Sequence, residues 1–313
     1  MSLSLEKDKK LLVFLLGAVV FISGCVGQQT TGGATGPGIS IQAFEPDINL
    51  IESQDNIRLR FKIQNLGGEE ATDVMSRLIG INPDEWGFFG SDLPLGDLLP
   101  ANPQFGTSGE QKEDFYEVIA PLLPEGQRVN YNPILRIHYG YRTSVTKPIT
   151  LVTEQELRRL TQEGESLPAG TTGVSGGPLF ASVTTGNIIR ATRQVGELKA
   201  FPVTIRIDNT GGGSLSPNPA FQQAGDADLV LLTINLPPGL DFDTQECQVF
   251  RGGAFVRLFR GKDIEITCEI IVTNPPVVAE QRTIIMTLDY DYFIEHKGTT
   301  LIVKGTIPAS EFV

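Results

Sequence analysis

Two short patterns occur twice along this chain in the same order, and a chain that repeats itself must fold into two copies of one unit. The first pattern ends an alternating run: Ile57-Arg-Leu-Arg-Phe-Lys-Ile63-Gln-Asn65-Leu-Gly67-Gly68, and again Phe201-Pro-Val203-Thr-Ile205-Arg-Ile207-Asp-Asn209-Thr-Gly211-Gly212. Apolar residues at every second position describe a strand with one wet face, and an Asn followed by glycines supplies the turn that ends it. The second pattern is Y-x-Y, in Leu135-Arg-Ile137-His-Tyr139-Gly-Tyr141 and Met286-Thr-Leu288-Asp-Tyr290-Asp-Tyr292. Each Y-x-Y is expected to precede a turn and a final strand, Pro148 to Val152 and Thr299 to Val303. Between these ends, Val74 to Pro83 corresponds to Leu229 to Pro238, and Tyr116-Glu-Val-Ile119 to Cys268-Glu-Ile-Ile271.

Each copy has the length and strand density of an immunoglobulin-like sandwich, in which two stacked sheets bury alternate side chains. With 34 Gly, 20 Pro and 17 Phe in 313 residues, composition agrees with a turn-rich all-β protein rather than a helical one. The predicted fold is all-β: an Ig-like domain over residues 39–153, a connector over 154–178 and a second Ig-like domain over 179–308. In the connector, Thr153-Glu-Gln-Glu156 has the form of a capping box leading into a short helix. A Gly/Ser/Thr stretch to Pro178 then reads as a hinge that lets the two sandwiches reorient.

The amino terminus gives location. Glu6 to Lys10 is charged, Leu11 to Ile22 is uncharged and apolar, and Ser23-Gly24-Cys25 supplies small residues for processing. A spanning helix needs about 20 residues, so this run suits an export signal over 1–24 better than a permanent anchor. Ile22-Ser23-Gly24-Cys25 resembles the lipobox of prokaryotic lipoproteins, which implies a diacylglyceryl group on Cys25 and a partner membrane. Residues 25–38 read as a flexible tether. The alternative is an ordinary signal, or an uncleaved anchor, in which Cys25 is incidental. Of three cysteines, Cys25 assigned to lipid leaves Cys247 and Cys268 to pair as a disulfide in an oxidising compartment, or to stay as reduced core thiols.

The strand followed by N-x-G-G, with its Y-x-Y terminal hairpin, resembles the CARDB-type and related Ig-like modules of archaeal and bacterial surface proteins. That resemblance implies adhesion, spacing or assembly at the cell surface, and it carries no catalytic residues across.

Chemistry is sparse. Gly173-Val-Ser175-Gly-Gly177 matches G-x-S-x-G by letter but lacks the strand and helix that a nucleophile elbow needs. His138 and His296 stand alone, without Cys or His at metal spacing. Asp226/Asp228, Asp241/Asp243 and Asp289/Asp291 put acids on one face or turn, offering weak calcium ligands or merely charged strand edges. A net charge of −12 gives no nucleic-acid footprint and makes anionic polymers and acidic membranes poor partners. Asn82 to Asp114 departs most from the repeat, and its Trp86-Gly-Phe88-Phe89-Gly90 run offers either a protein or glycan contact surface or a cap on the core. The expected function is non-catalytic binding or spacing at the outer face of the cell membrane, without cofactor or metal. A secreted carbohydrate-active enzyme and a surface-filament subunit are the alternatives.

Overall fold

The computed structural model describes residues 37–48, 50–88, 92–102, 105–167, 170–191, 200–215 and 227–308. The expected signal segment and Cys25 lie outside them, with all of the expected tether except Pro37 and Gly38. The alternating runs form strands as their period requires. The first half holds β1 (Ile39–Pro46), β2 (Ile51–Glu52), β3 (Asn56–Asn65), β4 (Ala71–Ile79), β5 (Leu93–Leu98), β6 (Gln111–Ile119), β7 (Arg128–Tyr131) and β8 (Ile134–Thr153). Helix α1 (Glu154–Glu163) follows, its first turn capped where Thr153 Oγ1 accepts from the Glu156 amide. The second half holds β9 (Gly173–Val174), β10 (Leu179–Thr184), β11 (Ile188–Ala191), β12 (Ala200–Asn209), β13 (Ser214–Leu215), β14 (Leu229–Asn235) and β15 (Leu240–Phe242). After a short helix α2 (Gln245–Gln248) come β16 (Ala254–Arg257), β17 (Asp263–Val272), β18 (Glu280–Lys297) and β19 (Leu301–Lys304).

Strand registers make the duplication explicit. β1 pairs with β3 so that Ile39 faces Asn65, and β10 pairs with β12 so that Leu179 faces Asn209. Leu59 faces Tyr116 in one half, and the corresponding Val203 faces Cys268 in the other. The sheets β1-β3-β6 and β10-β12-β17-β15 are therefore versions of one sheet. The remaining long strands do not form two separate partners for them. They join into a single nine-stranded sheet along β16-β14-β18-β8-β4-β5.

The join is an antiparallel ribbon. β8 and β18 pair without interruption from Ile134 against Lys297 to Leu151 against Glu280. The Gly140–Asp291 pair puts equivalent residues opposite one another, and the flanking pairs Tyr139–Tyr292 and Tyr141–Tyr290 interchange under the repeat, so an approximate two-fold axis passes through Gly140 and Asp291. In the first half the expected turn after Tyr141 is absent: β8 runs straight through Arg142–Lys147. Its last residues, Thr150–Thr153, pair in parallel with β11 of the second half. Reciprocally, β19 of the second half pairs with β7 and β2 of the first. Each half is completed by the other's last strand.

This exchange corrects the expected hinge. Residues 173–178 of the connector are tied to the ribbon: Gly173 and Val174 pair with Thr146 and Val145, the Ser175 amide donates to Ser144 O, and the Gly68 amide donates to Gly176 O. Residues of both halves share one buried core, with Ile57, Phe61 and Ile63 from β3, Val203, Ile205 and Ile207 from β12, and Leu135, Ile137, Leu288 and Tyr292 from the ribbon. At about 1.5–3 kcal/mol for each fully buried large apolar side chain, a core spanning both halves binds them far more strongly than a Gly-rich linker could.

Candidate functional site

The two repeated motifs meet in space. Asn65 closes its turn by donating from Nδ2 to Glu69 O and Leu98 O, and its Oδ1 accepts from the Gly67 amide. Asn209 does the same with Gly213 O and Gly261 O. The second tyrosine of each Y-x-Y locks that turn: Tyr141 Oη accepts from the Glu69 amide and donates to Gly176 O, while Tyr292 Oη accepts from the Gly213 amide and donates to Asn209 Oδ1. A Cβ at Gly67 would collide with Tyr141 Oη, which is why the turn needs glycine there.

The first tyrosines of the two motifs differ. Tyr290 Oη pairs with Thr143 Oγ1 at 2.8 Å and accepts from the Leu179 amide at 3.2 Å. Tyr139, its counterpart, is fully buried, and its hydroxyl has no hydrogen-bond partner. The register explains this, because Ile294 occupies in the second half the position that Thr143 holds in the first. Burial pushes both phenols well above the ordinary tyrosine range. The seam is neutral and structural.

Trp86 itself offers no contact surface. Trp86 is 0% exposed, packed edge-on against Tyr131 at 5.0 Å, and its backbone carbonyl accepts from the Ile119 amide. Tyr131 Oη donates to Glu85 Oε1 at 2.6 Å, so a flanking acid serves packing rather than recognition. Burial and the neighbouring carboxylate push that phenol up to about 12. Phe88 is half-buried against the core, and Phe89 lies outside the described residues. Trp86 caps its own half, as β15 does in the other, because the Asp241–Ile271 pair and the Trp86–Ile119 bond stand at corresponding places.

One acid in each of two of the acidic pairs is taken by an arginine. Asp241 pairs with Arg251, and Asp289 with Arg142 at 2.6 Å. Asp243 follows β15 with its amide donating to Glu269 O, and Asp228 lines an open hollow with Arg257, Phe259 and Arg260. Asp226 lies outside the described residues. Among the described residues, no three His, Cys, Asp or Glu side chains are grouped to hold a metal. Ser175 Oγ accepts from the Ser144 amide on an extended segment, which is no nucleophile elbow. His138 is buried on the outer side of β8 with neither ring nitrogen hydrogen-bonded, and burial with Arg136 and Arg77 nearby lowers its pKa to about 4. His296 is exposed near the end of β18.

Cys247 and Cys268 form a disulfide that fastens α2 to β17. Both are buried, and the bond is of the kind that an oxidising compartment sustains. Tyr116 stands where Cys268 stands in the second half, with its hydroxyl on Ser76 Oγ at 2.7 Å. Among the described residues no helix is long and apolar enough to cross a membrane.

Missed by the sequence reading are two exposed loop tips. The turn between β5 and β6 carries Phe105, 79% exposed, and the turn between β16 and β17 carries Phe259, 68% exposed. Exposure of a single aromatic in a loop has no periodic signature.

No known protein family matches the chain, and no curated protein matches it. Among solved structures it is similar to the transglutaminase of red sea bream at 8% identity and a TM-score of 0.21, over 86% of this chain and 31% of that enzyme. The chain thus spans about a third of that enzyme's length, and at such a score the likeness carries neither fold nor activity across.

Proposed function

We propose that this chain is an exported protein, anchored by lipid on Cys25, that acts without catalysis as a rigid binding or spacing body at the outer face of the cell membrane, with modules akin to the CARDB type. The observation that supports it best is the exchanged ribbon, residues 128–153 against 280–304, which makes one stiff body of two sandwiches. An adhesin or spacer that transmits position needs that stiffness, whereas a pair of hinged modules loses it. The disulfide adds the compartment. Intact mass of the protein taken from native membranes, with and without reductant, tests the reading. A mass equal to residues 25–313 plus lipid, rising by two hydrogens on reduction, is expected; an unlipidated chain retaining Met1 would overturn it.

A filament subunit is the second reading, favoured by one observation. The nine-stranded sheet ends on β5, which contains Pro94, Gly96 and two register shifts, and on β16, which contains neither proline nor glycine, pairs regularly and exposes Phe255. Such an unguarded edge can accept a strand from a neighbour. Concentration-dependent assembly in sedimentation velocity, abolished by Phe255→Lys, would favour it.

A further inference from the structure

The described chain comes in at Pro37 and Gly38 between the two halves. Gly38 O accepts from the Leu66 amide, and Gly38 lies beside Pro178, whose carbonyl accepts from the Thr210 amide. Both N-x-G-G turns therefore surround the point where the chain enters. Each turn in turn holds one exposed loop: Asn65 grips Leu98 O at the base of the loop that bears Leu99 and Phe105, and Asn209 grips Gly261 O in the loop that bears Phe259 and Arg260. By register these are the same loop in the two copies, since the Asn65 amide donates to Glu110 O and the Asn209 amide to Lys262 O. They flank the incoming chain, one in each half.

Their chemistry stands apart from the rest of the molecule. Phe105 and Phe259 are among the most exposed large apolar side chains, and Leu99 adds to the first loop. The guanidinium of Arg260 lies 5.1 Å from the ring centre of Phe259. Residues 249–262 carry Arg251, Arg257, Arg260 and Lys262 and no acid, within a chain of net charge −12. An aromatic ring rimmed by long cationic side chains, as Phe259 is, suits the boundary between headgroups and acyl chains, where the ring enters and the charge stays with phosphate. Asp228, Asp263 and Glu265 line the same hollow as Phe259, and the Phe105 loop, without Lys or Arg from 99 to 109, offers its ring alone.

We propose that these two loops are the footing of the molecule on its membrane, with Phe105 and Phe259 entering the bilayer interface and Arg260 and Lys262 meeting phosphate headgroups. The inference rests on the anchoring through Cys25 proposed above. Cys25 precedes Pro37 by twelve positions, and such a stretch reaches at most about 40 Å when fully extended. A lipid at Cys25 thus holds these loops within reach of the surface, and it is this short reach that selects a bilayer over a distant protein partner. Two apolar contacts on either side of the incoming chain would also fix which way the rigid body faces.

The experiment uses the full chain, lipidated, in vesicles containing phosphatidylcholine with bromine in its acyl chains, made with and without phosphatidylglycerol. Phe259→Trp and Phe105→Trp each add one fluorophore to a chain whose single native tryptophan, Trp86, is buried and serves as the reference. Brominated lipid is expected to remove about half of the added emission in both variants while leaving the Trp86 signal of the parent protein intact. Quenching that needs phosphatidylglycerol assigns the larger part to Arg260 and Lys262, and quenching in both vesicle types assigns it to the rings. Flotation with vesicles but no quenching in either variant overturns the footing and leaves the anchor standing. Failure to float overturns the anchor, and the footing with it.

Discussion

Tyr139 and Tyr290 are the same residue in two copies, yet their hydroxyls have opposite circumstances, which makes a controlled experiment of the molecule. Replacing Tyr290 by Phe removes the partner of Thr143 Oγ1 and of the Leu179 amide. A net hydrogen bond is worth about 1 kcal/mol, and a buried amide left unpaired costs about 1–3 kcal/mol more, so Tyr290→Phe should destabilise by about 2–4 kcal/mol. Replacing Tyr139 by Phe removes a buried hydroxyl that has no hydrogen-bond partner, the Ile39 amide being the nearby donor that influences it. That change should be neutral, or stabilising by about 1 kcal/mol. Urea unfolding followed at Trp86 and by circular dichroism measures both. Ile294→Thr offers the missing partner, and in that background Tyr139→Phe should begin to cost about 1 kcal/mol. Equal losses in the two single variants, or the larger loss at Tyr139, would refute the reasoning from the register.

The other seam contacts and the buried histidine give further tests. Gly67→Ala should cost at least about 2 kcal/mol, because its Cβ meets Tyr141 Oη, and Tyr141→Phe should recover part of that loss in thermal unfolding. His138 is held neutral by burial and by Arg136 and Arg77, against weaker opposition from Asp92 and Glu295. Its pKa falls from 6.5 to about 4, so the unfolded chain takes up a proton that the fold refuses. Stability from this group is complete above pH 6.5 and declines towards pH 4, by at most roughly 3 kcal/mol. The difference between parent and His138→Phe in urea midpoints across that range should trace the decline, and a constant difference would argue against it.

The period-two pattern was enough to place β3, β12 and the ribbon strands, and the repeat was enough to equate Tyr116 with Cys268, which the registers bear out. Asn65 and Tyr141 were both visible as motifs, but their mutual contact was not, because it joins positions far apart in sequence. The exchange of last strands was half legible. Arg142-Thr-Ser-Val-Thr-Lys147 contains no Gly, Pro or Asn, so nothing there asks for a turn, whereas Gly298 does mark one in the second half. Which half a straight strand then completes is decided by core packing, and no local signal carries it. The connector misled for a related reason: Gly176 and Gly177 were read as freedom, whereas a side chain at Gly177 would press into Tyr141 and one at Gly68 would press on Gly176. Trp86 was ambiguous because an aromatic among acids looks the same whether it faces solvent or, as here, lies buried beside Tyr131.

Whether two sandwiches have become one body is tested most directly by breaking one half and watching the other. Cys247→Ser with Cys268→Ser opens a disulfide wholly within the second half and should remove about 3 kcal/mol. Trp86 lies in the first half and is the only tryptophan in the chain. In urea unfolding, the exchanged ribbon predicts a single transition in which the Trp86 signal and the circular dichroism shift together by that full amount. A Trp86 transition that stays in place while the dichroism splits into two steps would contradict it.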